Sequence, residues 1–249
     1  MLKLGVDVGG TFTDVCLLDA ESGEVWVDKL PSTVGDQSIA FVEGVLKVLE
    51  KAGRGCAEID FLVHGTTVAT NALLEHKGAR TALITTRGFR DVLEIGTQQR
   101  RELYSVVQSR PPVLVPRHLR REVDERVAAD GEVVTPLDEA EARRVLSELA
   151  AEGVETLAVC LLFSFMNPAH ERRLAELAAE IMPQAMVSLS SAISPEYREY
   201  WRMSTTAVNA YVIRPVFSYI GRLEERLRDN GVAAGLHVMQ SSGGHTVLA

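Results

Sequence analysis

The chain has 249 residues, 46% of them hydrophobic and 24% charged, and a net charge of −8 at neutral pH. That length suits one large or two modest domains with ample core, and the acidic balance argues against general affinity for nucleic acid or an anionic membrane surface. Three widely spaced cysteines (Cys16, Cys56, Cys160), no basic-then-apolar leader and no apolar run long enough to span a bilayer make a cytoplasmic protein with buried free thiols the expectation.

The first elements in the chain carry the strongest chemical signal. Two apolar runs, Leu2 to Val8 and Val15 to Leu18, flank Gly9-Gly10-Thr11-Phe12-Thr13. The pattern predicts a β-hairpin in which the paired glycines supply the positive φ angles of a tight turn. Such a bend offers backbone N–H groups and two hydroxyls without side-chain bulk, a donor set suited to phosphate. Asp7 and Asp14 frame it, and Mg²⁺ is commonly held by one or two carboxylates together with water and phosphate oxygens. A Mg–nucleotide site is one reading; plain turn chemistry is the other. The spacing excludes a Walker A loop, which ends in Gly-Lys-Ser/Thr, and also a dinucleotide fingerprint, because a strand follows the glycines.

Further along, residues 24–30 predict a strand, 38–51 a helix with apolar residues at helical period, 60–63 a strand, 66–75 a helix and 79–85 a strand. This alternation is that of an α/β domain. From Phe89 to Pro136 order weakens: Gln98-Gln99-Arg100-Arg101 is polar, and Pro111, Pro112 and Pro116 punctuate the run, which reads as a surface excursion. Regularity returns with a helix from about Pro136, a nearly all-apolar strand at 156–163, a helix at 167–181 and a strand at 186–189. Residues 195–228 predict one long helix or two broken near Pro215. A last strand at 236–240 runs into Ser241-Ser242-Gly243-Gly244.

Taken together, Asp7-x-Gly-Gly-Thr-Phe-Thr-Asp14, His64-Gly-Thr-Thr-x-x-x-Asn71, Ser194-Pro-Glu-Tyr-Arg-Glu-Tyr200 through Asn209-Ala-Tyr211, and Met239-Gln-Ser-Ser-Gly-Gly244 resemble the hydantoinase A/5-oxoprolinase family. That family also includes ATP-binding subunits of ketone carboxylases such as acetone carboxylase. The resemblance runs the length of the chain. It implies an α/β, actin/sugar-kinase-like (ribonuclease-H-like) ATPase lobe, a mixed sheet flanked by helices, with ATP and Mg²⁺ held between two phosphate-binding hairpins. No second Asp-x-Gly-Gly-Thr follows residue 14, so a second lobe is expected to be missing or only begun, and half of an ATP site is expected here. The expected division is 1–190 as the lobe, with the 89–136 excursion inserted, and 195–249 as a helical segment and first strand of a truncated second lobe.

What the resemblance implies for residues is specific. Gly9, Gly10, Thr11, Phe12 and Thr13 bind the phosphates, Asp7 places Mg²⁺ or its water, and Asp14 supports it. His64, Gly65, Thr66, Thr67 and Asn71 line a substrate site. For these last residues the alternatives remain open: a threonine that only caps a helix, and a histidine that is structural rather than a proton carrier. Arg87 and Arg90, in Thr86-Arg-Gly-Phe-Arg-Asp91, are of the type that holds a carboxylate or phosphate, and a solvated loop is the commoner fate of such residues. The implied activity is ATP-coupled hydrolysis of a cyclic amide (lactam or hydantoin ring); the alternatives are an acetone/acetophenone-type carboxylase subunit acting on a ketone, a small-molecule kinase of the same superfold, and a non-catalytic nucleotide-binding subunit. A second subunit or further chain is the expected partner, with self-association through any exposed apolar face.

Overall fold

Strict alternation gives each of the first strands one apolar and one polar face. In the computed structural model, which describes all residues except 34, 100–102, 107–112 and 248–249, β1 (Leu2–Val8) and β2 (Phe12–Asp19) pair antiparallel with Val8 opposite Thr13, and β3 (Val25–Pro31) extends the meander. Leu2, Leu4, Val6 and Val8 are buried while Lys3 and Asp7 on the opposite face are exposed. Helix α1 (Gln37–Ala52) covers the buried face. Asp36 caps it by accepting the Ser38 amide, and Gly53 at φ 65° ends it. Gly44 permits the close approach, since a Cβ there would lie 2.6 Å from Val15 and 2.9 Å from Leu30. Strand β4 (Ile59–Thr66) then runs parallel to β1, and the short α2 (Val68–Leu74) follows.

Residues 78–214 form a second unit. It contains β5 (Thr81–Thr86), α3 (Val92–Ile95), β6 (Arg120–Val123), a ribbon of β7 (Arg126–Val127) and β8 (Val133–Thr135), α4 (Glu139–Ala151), β9 (Thr156–Cys160), α5 (Ala169–Ile181), β10 (Met186–Leu189) and α6 (Ser190–Ile193). Its sheet is wholly parallel in the order β10-β9-β5-β6. Every residue of β5 and β9 is buried, as helices on both faces of a parallel sheet require. The sequence expectation of a surface excursion from Phe89 to Pro136 is corrected in part here. Strand β6 pairs with β5, and its polar Arg120-Arg121-Glu122 conceals a strand because Arg120 is buried by giving hydrogen bonds to Val115 O and Glu94. Pro111, Pro112, Arg100 and Arg101 lie outside the described residues.

Helix α7 (Glu199–Asp229) is continuous through Pro215. A proline cannot donate to the carbonyl four residues back; that carbonyl, on Tyr211, instead accepts the Ala79 amide at 2.9 Å. The first half of α7 supplies Met203, Ala207 and Ala210 to the core of the second unit. Residues from Pro215 onward belong with residues 1–77: Tyr219, Ile220, Leu223 and Leu227 pack with α1 and the hairpin strands. Strand β11 (Leu236–Met239) pairs parallel with β4, and β12 (His245–Val247) closes the sheet order β12-β11-β4-β1-β2-β3. The first unit is therefore assembled from both ends of the chain, where the sequence pattern sets 195–249 apart from 1–190. Of the three free cysteines, Cys160 is buried and burial pushes its thiol up to about 12, Cys56 is half-buried, and Cys16 is exposed on the open face of the sheet rather than buried as expected.

Candidate functional site

The site is built on the row of residues that crosses the first sheet at the carboxyl end of β1. Register places Gly65 of β4, Asp7 of β1, Asp14 of β2 and Lys29 of β3 side by side. Lys29 Nζ donates to both oxygens of Asp14, at 2.8 and 3.0 Å, and lies 5.1 Å from the centre of the Phe12 ring. Asp14 is thus neutralised within the sheet. Asp7 is exposed and makes no hydrogen bond or ion pair among the described residues. Space for its carboxylate is left by Gly65, where a Cβ would stand 2.9 Å from Asp7 Oδ1.

Past Asp7 the chain makes its turn. Gly9 N donates to Phe12 O at 3.0 Å. The positive φ angles expected of the two glycines are not found: neither Gly9 nor Gly10 takes one. What the turn requires instead is lack of bulk, because a Cβ on Gly9 would come within 3.1 Å of Phe12 O. Ser32, which the sequence pattern does not single out, staples the turn. Its amide donates to Thr11 O at 2.9 Å and its hydroxyl to Gly9 O at 2.8 Å. Thr13 is fully buried and spends its hydroxyl on Ser32, 3.0 Å away, so it holds the turn rather than facing a ligand. The exposed Gly10 and Thr11 have amides, and Thr11 a hydroxyl, with no intramolecular partner among the described residues. Unpaired amides at an exposed bend beside one free carboxylate form a compact donor–acceptor cluster.

The second motif meets this turn. Thr67 Oγ1 donates to Val8 O at 3.5 Å and accepts from Asn71 Nδ2 at 3.2 Å. Asn71 Nδ2 would lie 3.9 Å from a Cβ on Gly10, so the Asn71 amide borders the turn. Thr66 Oγ1 accepts the Val68 amide at 3.2 Å and serves the start of α2.

His64 does not join the group. It is fully buried on the opposite face of the sheet, edge-on to Phe41 at 5.0 Å. Its Nδ1 lies 3.3 Å from Val6 O, which only accepts, so Nδ1 carries the proton and Nε2 accepts from Tyr219 OH at 2.9 Å. Burial pushes its pKa down to about 4, outweighing the backbone hydrogen bond and Asp7, which act the other way. The proton-carrier reading of His64 is therefore corrected to a structural one, since the ring is neutral and both nitrogens are occupied inside the core.

The open face beneath the carboxylate row holds a largely apolar cavity of about 320 Å³, lined among others by Asp7, Asp14, Cys16, Val27, Val63 and Met239. No group of three or more metal-ligating side chains occurs among the described residues. No helix among them is long and apolar enough to cross a membrane.

With this geometry in view, comparison with known proteins decides the family. A family model described as the hydantoinase/oxoprolinase N-terminal region matches residues 3–182, and the hydantoinase/oxoprolinase model matches residues 202–249. The chain belongs to the hydantoinase/oxoprolinase family. It is 37% identical to the caprolactamase subunit alpha of Pseudomonas jessenii over 97% of its own length and 36% of that relative. The crystal structure of the ATP-dependent caprolactamase from Pseudomonas jessenii superposes with a TM-score of 0.88 at 35% identity, covering 98% of this chain and 36% of the other. A nucleotide-free structure of acetone carboxylase, from a study of ATP-dependent acetone carboxylation, gives a TM-score of 0.87 at 28% identity over 98% and 37% of the two chains. The fold is thus the α/β, mixed-sheet ATPase lobe expected from the resemblance. The chain spans little more than a third of the length of these relatives.

Proposed function

We propose that this chain supplies the phosphate-binding half of an ATP-dependent enzyme that opens a cyclic amide, a lactam or hydantoin ring, coupled to ATP cleavage. The observation that carries the reading is the turn at residues 9–11: the amides of Gly10 and Thr11, three and four residues from the Asp7 carboxylate in the chain, have, like that carboxylate, no partner among the described residues. Gly10 N, Thr11 N and Thr11 Oγ1 would bind phosphate oxygens. Asp7 fits Mg²⁺, which takes one or two carboxylates and completes its shell with water and phosphate; the ion would neutralise charge on the transferring phosphoryl group. Asp14 fixes the electrostatics of the row by holding Lys29. Thr67 and Asn71 border the turn, and on this reading they would line the substrate's approach to the phosphates. Transfer of that phosphoryl to the amide oxygen leaves the ring carbon open to water, and the work of these residues is positioning and charge stabilisation. Related proteins carry the name of subunits, which supports a partner subunit for the remaining chemistry.

Turnover tests the reading. The chain, within the full polypeptide or assembly that contains it, is given MgATP with caprolactam, 5-oxoproline or hydantoin, and ring opening and ADP release are followed. Ring opening that is coupled to ADP and lost in Asp7→Ala supports it. A second reading, a ketone carboxylase subunit, is favoured by the fit to acetone carboxylase. ADP release that depends on a ketone and bicarbonate, without ring opening, selects that reading instead.

A further inference from the structure

The hollow on the open face of the first sheet has a cause in the sequence. Register sets Val63 of β4, Gly5 of β1, Cys16 of β2 and Val27 of β3 in one row, next to the row that carries Asp7 and Asp14. Alternation puts Gly5 on the same face as Asp7, and its missing side chain opens the gap between Val63 and Cys16. The fold does not demand glycine at this position. Gly5 takes no positive φ, and a Cβ on it would meet Val63 Cγ1 at 3.8 Å and Cys16 O at 4.0 Å, which are ordinary contacts. A glycine inside a strand weakens it and often marks the close approach of another molecule.

The hollow, about 320 Å³, lies at the lower end of the roughly 300–1,000 Å³ of small-molecule sites. Cys16, Val27, Val63 and Met239 give it an apolar wall, and no lysine, arginine or histidine belongs to the lining. Three carboxylates do. Asp14 is paired with Lys29 at 2.8 Å and Asp28 with Lys51 at 2.9 Å, which leaves Asp7 as the one without a partner among the described residues. Lys3, the only basic residue of β1, stands outside the lining. Such a wall favours hydrocarbon and offers a ligand's carboxylate nothing to pair with, so burying an anion there is costly. We propose that the hollow receives the hydrocarbon part of an uncharged lactam, its amide edge at the Asp7 rim, and that it discriminates against rings that carry a carboxylate. The inference rests on the reading of Asp7 and the turn as the Mg²⁺ and phosphate site, because Asp7 is the residue shared by the hollow and that site. A nucleobase suits the wall less well, since its ring nitrogens and amino group need hydrogen-bond partners that Val27, Val63 and Met239 do not supply.

Cys16 is exposed in the lining and reports occupancy. In the full polypeptide or assembly that contains the chain, alkylation of Cys16 by iodoacetamide is followed by mass spectrometry of its peptide, without nucleotide. Caprolactam is expected to slow the reaction saturably, and 5-oxoproline at the same concentration to leave it unchanged. Gly5→Ala projects a methyl group into the hollow and should weaken the caprolactam effect about tenfold, with the thermal melt and the MgATP affinity of the parent. No protection by caprolactam, or equal protection by 5-oxoproline, would overturn the assignment. Protection unchanged in both Gly5→Ala and the bulkier Gly5→Val would place the lactam elsewhere and overturn it too. So would a Cys16 that fails to react without any ligand, because protein would then cover this face. Protection is read without turnover, so the two readings fail separately: ring opening without protection refutes the hollow alone, and protection without ring opening or ADP release supports the hollow while refuting the coupled hydrolysis.

Discussion

Asp7 owes its availability to a residue in a different motif. Its carboxylate occupies the space that Gly65 leaves empty, 2.9 Å from where a Cβ would sit. Gly65→Ala is therefore expected to turn the Asp7 side chain aside at little cost in stability, within about 0.5 kcal/mol, because the displaced atom is the end of an exposed side chain. Nucleotide affinity should fall about tenfold while the melting temperature scarcely moves; a variant with unchanged affinity would show that Asp7 has no part in binding. The neighbouring His64 makes the opposite kind of prediction. Its folded pKa lies near 4, below the ordinary value of 6.5. Between those values the unfolded chain takes up a proton that the folded chain refuses, so stability is full above pH 6.5 and declines as the pH falls toward 4. The loss over that window is on the order of 3 kcal/mol. Denaturant melts from pH 7 to 4.5 should show this slope, and His64→Asn should flatten it. An equally steep slope in the variant would assign the acid sensitivity to other groups. The motif around His64 is legible in sequence, but which member faces the ligand is not. Alternation along β4 sends His64 inward and Gly65 outward, and that phase is set by the sheet register rather than by the motif.

At the scale of elements, the hairpin, α1, α4, α5 and β10 are readable from periodicity and capping because each satisfies its own local rule. Strand β6 is not, and for α7 the sequence leaves one long helix or two broken near Pro215 as alternatives. β6 carries charge where a strand usually carries apolar residues, and Arg120 is tolerated only because partners outside the strand satisfy it. Pro215 would end a helix on local grounds, and the hydrogen bond that excuses it comes from Ala79, more than a hundred residues away in the chain. The adjoining Gly78 packs directly on Tyr211, where a Cβ would fall 2.1 Å from the ring. Gly78→Ala is expected to cost on the order of 2 kcal/mol or more by overpacking, seen as a lower denaturation midpoint with an unchanged slope. A neutral substitution would mean that α7 and the start of β5 are free to separate.

For the molecule as a whole, two cores form from one chain, and their membership follows the topology rather than the order of residues. The first draws on residues 2–62 and 219–236, the second on residues 82–210. Fold class was legible because strand and helix alternate, and the family because its motifs are long. The partition was not, because the pairing of β11 with β4 joins segments some 170 residues apart and leaves no local trace. The consequence for function is that the turn at residues 9–11, the Thr67–Asn71 segment and the returning strands all belong to one unit. The measurement that bears most directly on this account is calorimetric titration of MgATP and MgADP into the chain and into its Asp7→Ala, Thr11→Ala variant, with the folded state of both verified. The account predicts saturable binding that the double substitution abolishes. Binding of equal strength in the variant, or none in the folded parent chain, would contradict it.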